Sequence, residues 1–144
     1  MKNIYILLTL FLAVLFAASC ETYDDYEAER PAIIGFTLNG ALELPLSTNN
    51  PTITFPVPYF VSEASSSDRI FRVVIVEEGT ELAPENYSFN PEILIPANER
   101  IGTMPFIAMD VSLTTEYVPL VLAFESSSGV ISGPVVNIAL KTNN

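Results

Sequence analysis

Thr52-Ile53-Thr54-Phe55-Pro56-Val57-Pro58-Tyr59-Phe60-Val61 decides the fold class of this 144-residue chain. Large apolar side chains stand at 53, 55, 57, 59 and 61, with Thr, Pro and Phe between them. A period of two places the first set on one face of an extended strand, whereas a helix would scatter it around its axis. Pro56 and Pro58 lie two apart, so their missing N–H groups fall on the same side. That predicts a strand at a sheet edge, where this side needs no partner.

The same period extends in both directions. Residues 70–76 are denser, with Phe71, Val73 and Ile75 on one face and Ile70, Val74 and Val76 on the other, and only Arg72 interrupts. This density predicts a central strand buried on much of both faces. Further strands are expected at 33–38, 42–46, 87–89, 93–95, 101–109, 117–124 and 135–140. Polar turn segments separate them at 47–51, 65–68, 83–86 and 126–129, the last a Ser-Ser-Ser-Gly run expected to form a hairpin turn. No stretch offers a capped amphipathic helix of useful length. Short strands with regular turns and no helices predict an all-β fold over residues 32–144. A single Ig-like β-sandwich with Greek-key connections fits best, and a closed barrel is the alternative.

Composition narrows the chemistry. The net charge is -11, from 6 Lys+Arg against 17 Asp+Glu, and such a surface repels phosphate backbones, so nucleic acid is not an expected partner. There is no His, which removes the commonest general base and transition-metal ligand. Ser-His-Asp, Cys-His and zinc-hydrolase mechanisms are thereby excluded as usually built. With one Cys, no internal disulfide is possible. Carboxylate chemistry and oxygen-ligand cations remain open.

The start of the chain reads as an export signal. A short basic start, Met1-Lys2-Asn3, precedes a nearly unbroken apolar run at 4–16. That run is too short to span a bilayer comfortably but fits a signal peptide. Ala17-Ala18-Ser19-Cys20 then resembles a lipobox, which implies a lipoprotein signal peptide at 1–19 and lipid attachment at Cys20. Ala17 departs from that pattern, where Leu is more usual. Ordinary cleavage after Ser19 would instead leave Cys20 an idle reactive thiol. Two or three acyl chains, at about 0.8 kcal/mol per buried CH₂, would anchor the protein essentially irreversibly. Residues 20–31 carry Glu21, Asp24, Asp25, Glu27 and Glu29 and end in Pro31, which reads as a solvated tether. Acidic residues just behind the cysteine also resemble the surface-export signal of Bacteroidota lipoproteins. The location implied is the outer membrane, with the cell surface favoured over the periplasmic face.

A second resemblance lies at 87–100, Tyr-Ser-Phe-Asn-Pro-Glu-Ile-Leu-Ile-Pro-Ala-Asn-Glu-Arg. It is similar to a recurring signature of Bacteroidota lipoprotein β-sandwich domains, in which a Tyr-x-apolar strand precedes an x-Val-x-Ile-Pro-Ala-Gly strand and turn. Calx-β modules share such a passage, and uncharacterised domains found beside SusD-like glycan-uptake proteins look closest. Asn98 stands where Gly is usual, and Asn tolerates the left-handed conformation the turn requires. The resemblance implies a non-catalytic accessory or interaction module of a cell-surface glycan-handling assembly, with an outer-membrane protein or a glycan as partner. The alternative is a glycan-binding module, with Ca²⁺ assisting.

Candidate sites are few, and no cofactor is expected. Glu77 and Glu78 close the dense strand, and Asp110 lies on a loop that could approach them. Calx-β domains bind Ca²⁺ through such loop carboxylates, but Ca²⁺ takes six to eight oxygens and no Asp-x-Asp run is present. Solvated loop charges are the ordinary reading of these residues, so no metal is assigned. Tyr59, Tyr87 and Tyr117 could stack on sugars, yet their place within strands favours packing. Asn86-Tyr87-Ser88 matches a glycosylation sequon that means little in a bacterium. No nucleophile elbow and no catalytic residue can be named. An exposed aromatic patch on one sheet face would favour glycan binding, and buried aromatics would favour the interaction role.

Overall fold

A computed structural model describes residues 30–144. Its strands are β1 (Ala32–Phe36), β2 (Ala41–Leu46), β3 (Thr52–Val61), β4 (Arg69–Ile75) and β5 (Tyr87–Phe89). They continue as β6 (Glu92–Ile95), β7 (Ile101–Met109), β8 (Val118–Phe124), β9 (Val130–Ser132) and β10 (Val136–Thr142). A single turn of 3-10 helix, Pro84–Asn86, leads into β5.

The odd strands form one sheet in the order β5-β7-β3-β1-β9, and the even strands form the other in the order β2-β10-β8-β4-β6. Each connection therefore carries the chain from one sheet to the other, and no strand pairs with its sequence neighbour. The result is the Ig-like sandwich with Greek-key connections. Period-two patterning makes this possible because each strand brings one apolar face to the space between the sheets. Ile34, Phe36, Val57, Met104 and Phe106 meet Leu120, Leu122, Phe124, Ile138 and Leu140 there, all buried. Phe124 anchors the contact, tilted on Phe36 at 4.7 Å between centroids and edge-on to Tyr59 at 6.0 Å.

Several expectations need correction. The strand bearing Pro56 and Pro58 is not an edge strand, since β3 is the middle strand of its sheet. β3 is nonetheless flanked unevenly along its length. β7 pairs with β3 from Thr52 to Phe60, while β1 reaches only Tyr59, Phe60 and Val61. Val61 N–H donates to Arg100 C=O at 2.7 Å, so odd positions of β3 bond to β7 and the proline nitrogens face the other way. Beside Pro58 the chain after β1 still runs close, its exposed Thr37 N–H donating to Pro58 C=O at 3.0 Å, whereas beside Pro56 it has departed and that missing donor faces no strand. The same holds for Pro105 on β7 once β5 has ended opposite Phe106.

β4 is not buried on both faces. Phe71 and Val73 enter the core, but on the other face Ile70 is 67% exposed and Arg72 is exposed, while Ile75, on the core-facing side, is 42% exposed where the strand ends. β4 lies next to the sheet end, and its outer face meets no covering layer among the described residues. The Ser126–Gly129 run closes a tight turn, with Ser127 and Val130 bonding each other, and Gly129 supplies φ 76°. It does not join β8 to β9 as a hairpin, because β9 crosses over to lie parallel to β1. That short strand, Ile131 between Val130 and Ser132, was not foreseen. Asn98 does adopt the left-handed conformation its turn requires, at φ 66°.

Candidate functional site

Cys20, the signal peptide and the tether up to residue 29 lie outside the described residues. The weak cation candidates are described. Glu77 and Glu78 are exposed in the segment after β4, which runs beside β8 as Val76 N–H donates to Val121 C=O at 2.9 Å. Asp110 follows β7 in the other sheet, and its Oδ2 accepts from the Thr142 hydroxyl at 2.7 Å and from Asn144 Nδ2 at 3.3 Å. Among the described residues, no three acidic or thiol side chains come together as a metal-holding group. These carboxylates are thus spread over separate elements, and one oxygen of Asp110 already fastens the last strand.

The same loops contain a polar anchor that sequence reasoning passed over. Asn86 is 1% exposed. Its Oδ1 accepts from the N–H groups of Val111 and Ser112 at 3.1 and 2.9 Å, and its Nδ2 donates to Ser112 Oγ at 2.9 Å. The Ser112 hydroxyl donates in turn to Glu85 Oε1 at 2.8 Å. Glu85 is held below the usual carboxylate range, first by a backbone hydrogen bond at its own residue and then by Ser112. The amide of the Asn86 sequon is therefore structural. A turn residue just before a strand was the only signal, and it resembled any other loop asparagine.

Most aromatic side chains of the described residues point inward. Phe36, Tyr59, Phe71, Phe106 and Phe124 are buried, and Tyr87 and Phe89 pack partly against the core. Burial raises the Tyr59 and Tyr87 hydroxyls above the ordinary tyrosine range. Tyr117 lies near the surface with the Lys141 ammonium over its ring at 4.7 Å, an isolated cation–π contact. What the outer faces expose instead is aliphatic. Ile70 and Leu94 are cross-strand partners on β4 and β6, 67% and 55% exposed. Ile33 and Ile131 form a second exposed pair on the other sheet.

The edges of both sheets are blunted. β5 and β9 have three residues each, β2 carries Glu43 and Pro45, and β6 is bounded by Pro91 and Pro96. The Asn90 side chain also accepts from Glu92 N–H at 3.1 Å. Such edges resist strand addition, which leaves sheet faces and loops as contact surfaces.

One concavity of about 190 Å³ opens beside β4, lined by Ile70, Phe71, Arg72, Glu125, Ser126 and Ser127. It combines an aliphatic wall with a guanidinium, a carboxylate and two hydroxyls. Among the described residues no hydrogen bond joins a hydroxyl of this concavity to the Glu125 carboxylate, and the mixture of groups suits binding.

No protein-family model and no curated protein matches the chain. Solved structures do resemble it. A Bacteroides ovatus protein of unknown function superposes with a TM-score of 0.59 at 18% identity, over 74% of this chain and 44% of that one. A candidate carbohydrate-binding protein from Bacteroides ovatus gives 0.59 at 12% identity, over 75% and 36%. The apo form of the Calx CBD1 domain gives 0.54 at 12% identity, over 79% of this chain and 99% of that domain. At these identities the likeness shows the fold. The chain spans less than half the length of the two Bacteroides proteins and nearly all of the Calx domain.

Proposed function

We propose that this protein is a lipid-anchored, non-catalytic lipoprotein of the outer membrane, displayed at the cell surface. Its sandwich serves as an accessory or interaction module of a glycan-handling assembly. The observation that carries the reading is the sorting of apolar side chains. Most aromatics lie in or against the core, while the exposed apolar residues are mainly aliphatic and include two cross-strand pairs on sheet faces that nothing covers among the described residues. Aliphatic patches on a sheet face with protected edges suit contact with another protein, and a tether raises effective concentration for neighbours on the same membrane. The resemblance of fold to Bacteroides proteins supports this setting.

Two experiments test it. Cys20→Ala should release the protein from membranes or block its maturation, and a fully soluble wild-type protein with a free N-terminal thiol would refute the anchor. Photocrosslinkers at Ile70 and Leu94 in intact cells should capture one specific outer-membrane partner, and crosslinkers at Thr54 should not. Hydrolysis or group transfer by the purified chain, abolished by removing one or two carboxylates, would make it an enzyme instead. A second reading, glycan binding, is favoured by the concavity beside β4 and by the candidate carbohydrate-binding protein of the same fold.

A further inference from the structure

We propose that the concavity beside β4 is a binding site for a single neutral sugar unit. It arises because β4 outruns its neighbour. β8 pairs with β4 at Val73, Val74 and Ile75, and the ladder ends when Glu125 N–H donates to Arg72 C=O at 2.8 Å. The chain then turns away, and Ser127 spends its backbone groups on Val130.

Hydrogen bonds alternate along such a ladder. Val76 bonds to Val121 and Arg72 to Glu125, so Ile70 is the next residue whose N–H and C=O face that side. Neither finds a backbone partner among the described residues. One donor and one acceptor of the main chain therefore point into the notch that β8 vacates.

The side chains complete the set. Arg72 brings a fork of donors and Glu125 two acceptor oxygens. Ser126 Oγ accepts from Ser132 N–H at 3.0 Å, which fixes the oxygen and leaves its O–H to donate. Ser127 adds a second hydroxyl, and the exposed Ile70 side chain forms an apolar wall. A ring of hydroxyls with an aliphatic underside matches this mixture, since each hydroxyl both donates and accepts.

Competing ligands fit less well. The charges of Arg72 and Glu125 cancel, so an anion gains nothing from the pair on a chain of net charge -11. A peptide strand would need a run of unpaired backbone groups, and among the described residues lining the notch Ile70 alone is placed to offer them. The volume of about 190 Å³ falls below the ~300 Å³ of drug-sized pockets, which suits one sugar ring and not a long chain. The site rests on the second reading above and shares Ile70 with the aliphatic contact surface.

The test uses full-length protein in a polyoxyethylene detergent, which carries no sugar. Methyl glycosides of glucose, mannose and galactose are titrated in, with glycine as a zwitterionic probe, and binding is read by saturation-transfer NMR and ligand-induced shifts. At least one glycoside should bind with Kd of about 1–10 mM. Arg72→Gln and Glu125→Gln should each weaken it about tenfold, as one charged hydrogen bond is lost. Thr54→Ala, on the opposite outer face, should change nothing. Both site residues are exposed, so the melting temperatures of their variants should stay within about 2 °C of wild type. No glycoside binding, binding of glycine alone, or glycoside binding that survives both substitutions overturns the site. Crosslinking at Leu94, which does not line the notch, reports separately on the contact surface.

Discussion

Replacing Asn86 by Ala should loosen the whole end of the sandwich where β7 hands over to β8. Three hydrogen bonds run from this one buried side chain to Val111 and Ser112. Each contributes about 0.5–1.5 kcal/mol net, so about 3 kcal/mol should be lost. Val111 and Ser112 are themselves exposed, so water can repair part of their loss, and the estimate is set at the middle of the range. For a domain slightly above 100 residues, 1 kcal/mol moves the melting temperature by about 4 °C, which predicts a fall of about 10–15 °C. Asn86→Asp retains an acceptor but loses the donor to Ser112 and brings a second carboxylate beside Glu85, so it should fall between Ala and wild type. Circular dichroism gives the midpoint, and hydrogen exchange at the Val111 and Ser112 amides gives the local effect. A midpoint within about 2 °C of wild type, with unchanged exchange at both amides, would refute the reasoning.

Other perturbations follow from the same packing. Ile75→Ala should cost less than about 1 kcal/mol in denaturant unfolding, since Ile75 is 42% exposed, whereas Ile138→Ala in the core should cost about 2–5 kcal/mol. Gly102→Ala should destabilise by about 1–3 kcal/mol, because a Cβ there overlaps the Tyr59 hydroxyl and the buried ring has little room to move. Adding Tyr59→Phe should recover part of the loss. Glu85 has a folded pKa below its unfolded value, so its contribution is present above the unfolded carboxylate range and lost as pH falls through the folded pKa. Glu85→Gln should therefore lower the melting temperature at about pH 7 and make no difference at about pH 2.

Much of the sandwich was legible before any coordinates. Strands at 52–61, 87–89 and 101–109 correspond to β3, β5 and β7, because period two is a local property that survives whatever the strand pairs with. The left-handed Asn98 was legible for the same reason, since its φ belongs to a turn of a few residues. Burial of individual positions was not. Apolar density at 70–76 resembled a doubly covered strand, yet its outer face is open, because a residue's own sequence does not say which layers lie above it. The split of β3, paired on both sides at one end and on one side at the other, was equally hidden.

The candidate sites divide along the same line. Composition alone removed histidine-based chemistry and disulfides, and the pattern around Cys20 alone suggested the lipid, since both depend only on which residues are present and in what order. The Asn86 anchor joins positions 25 and 26 residues apart, and the notch joins Ile70 and Arg72 to residues more than fifty positions away. Alternation between sheets sets those meetings, with β4 extending past the end of β8. Side-chain period declares a strand and its inner face. Which strand ends first beside its neighbour, and what that leaves unpaired, is decided only when the two sheets assemble around a common core.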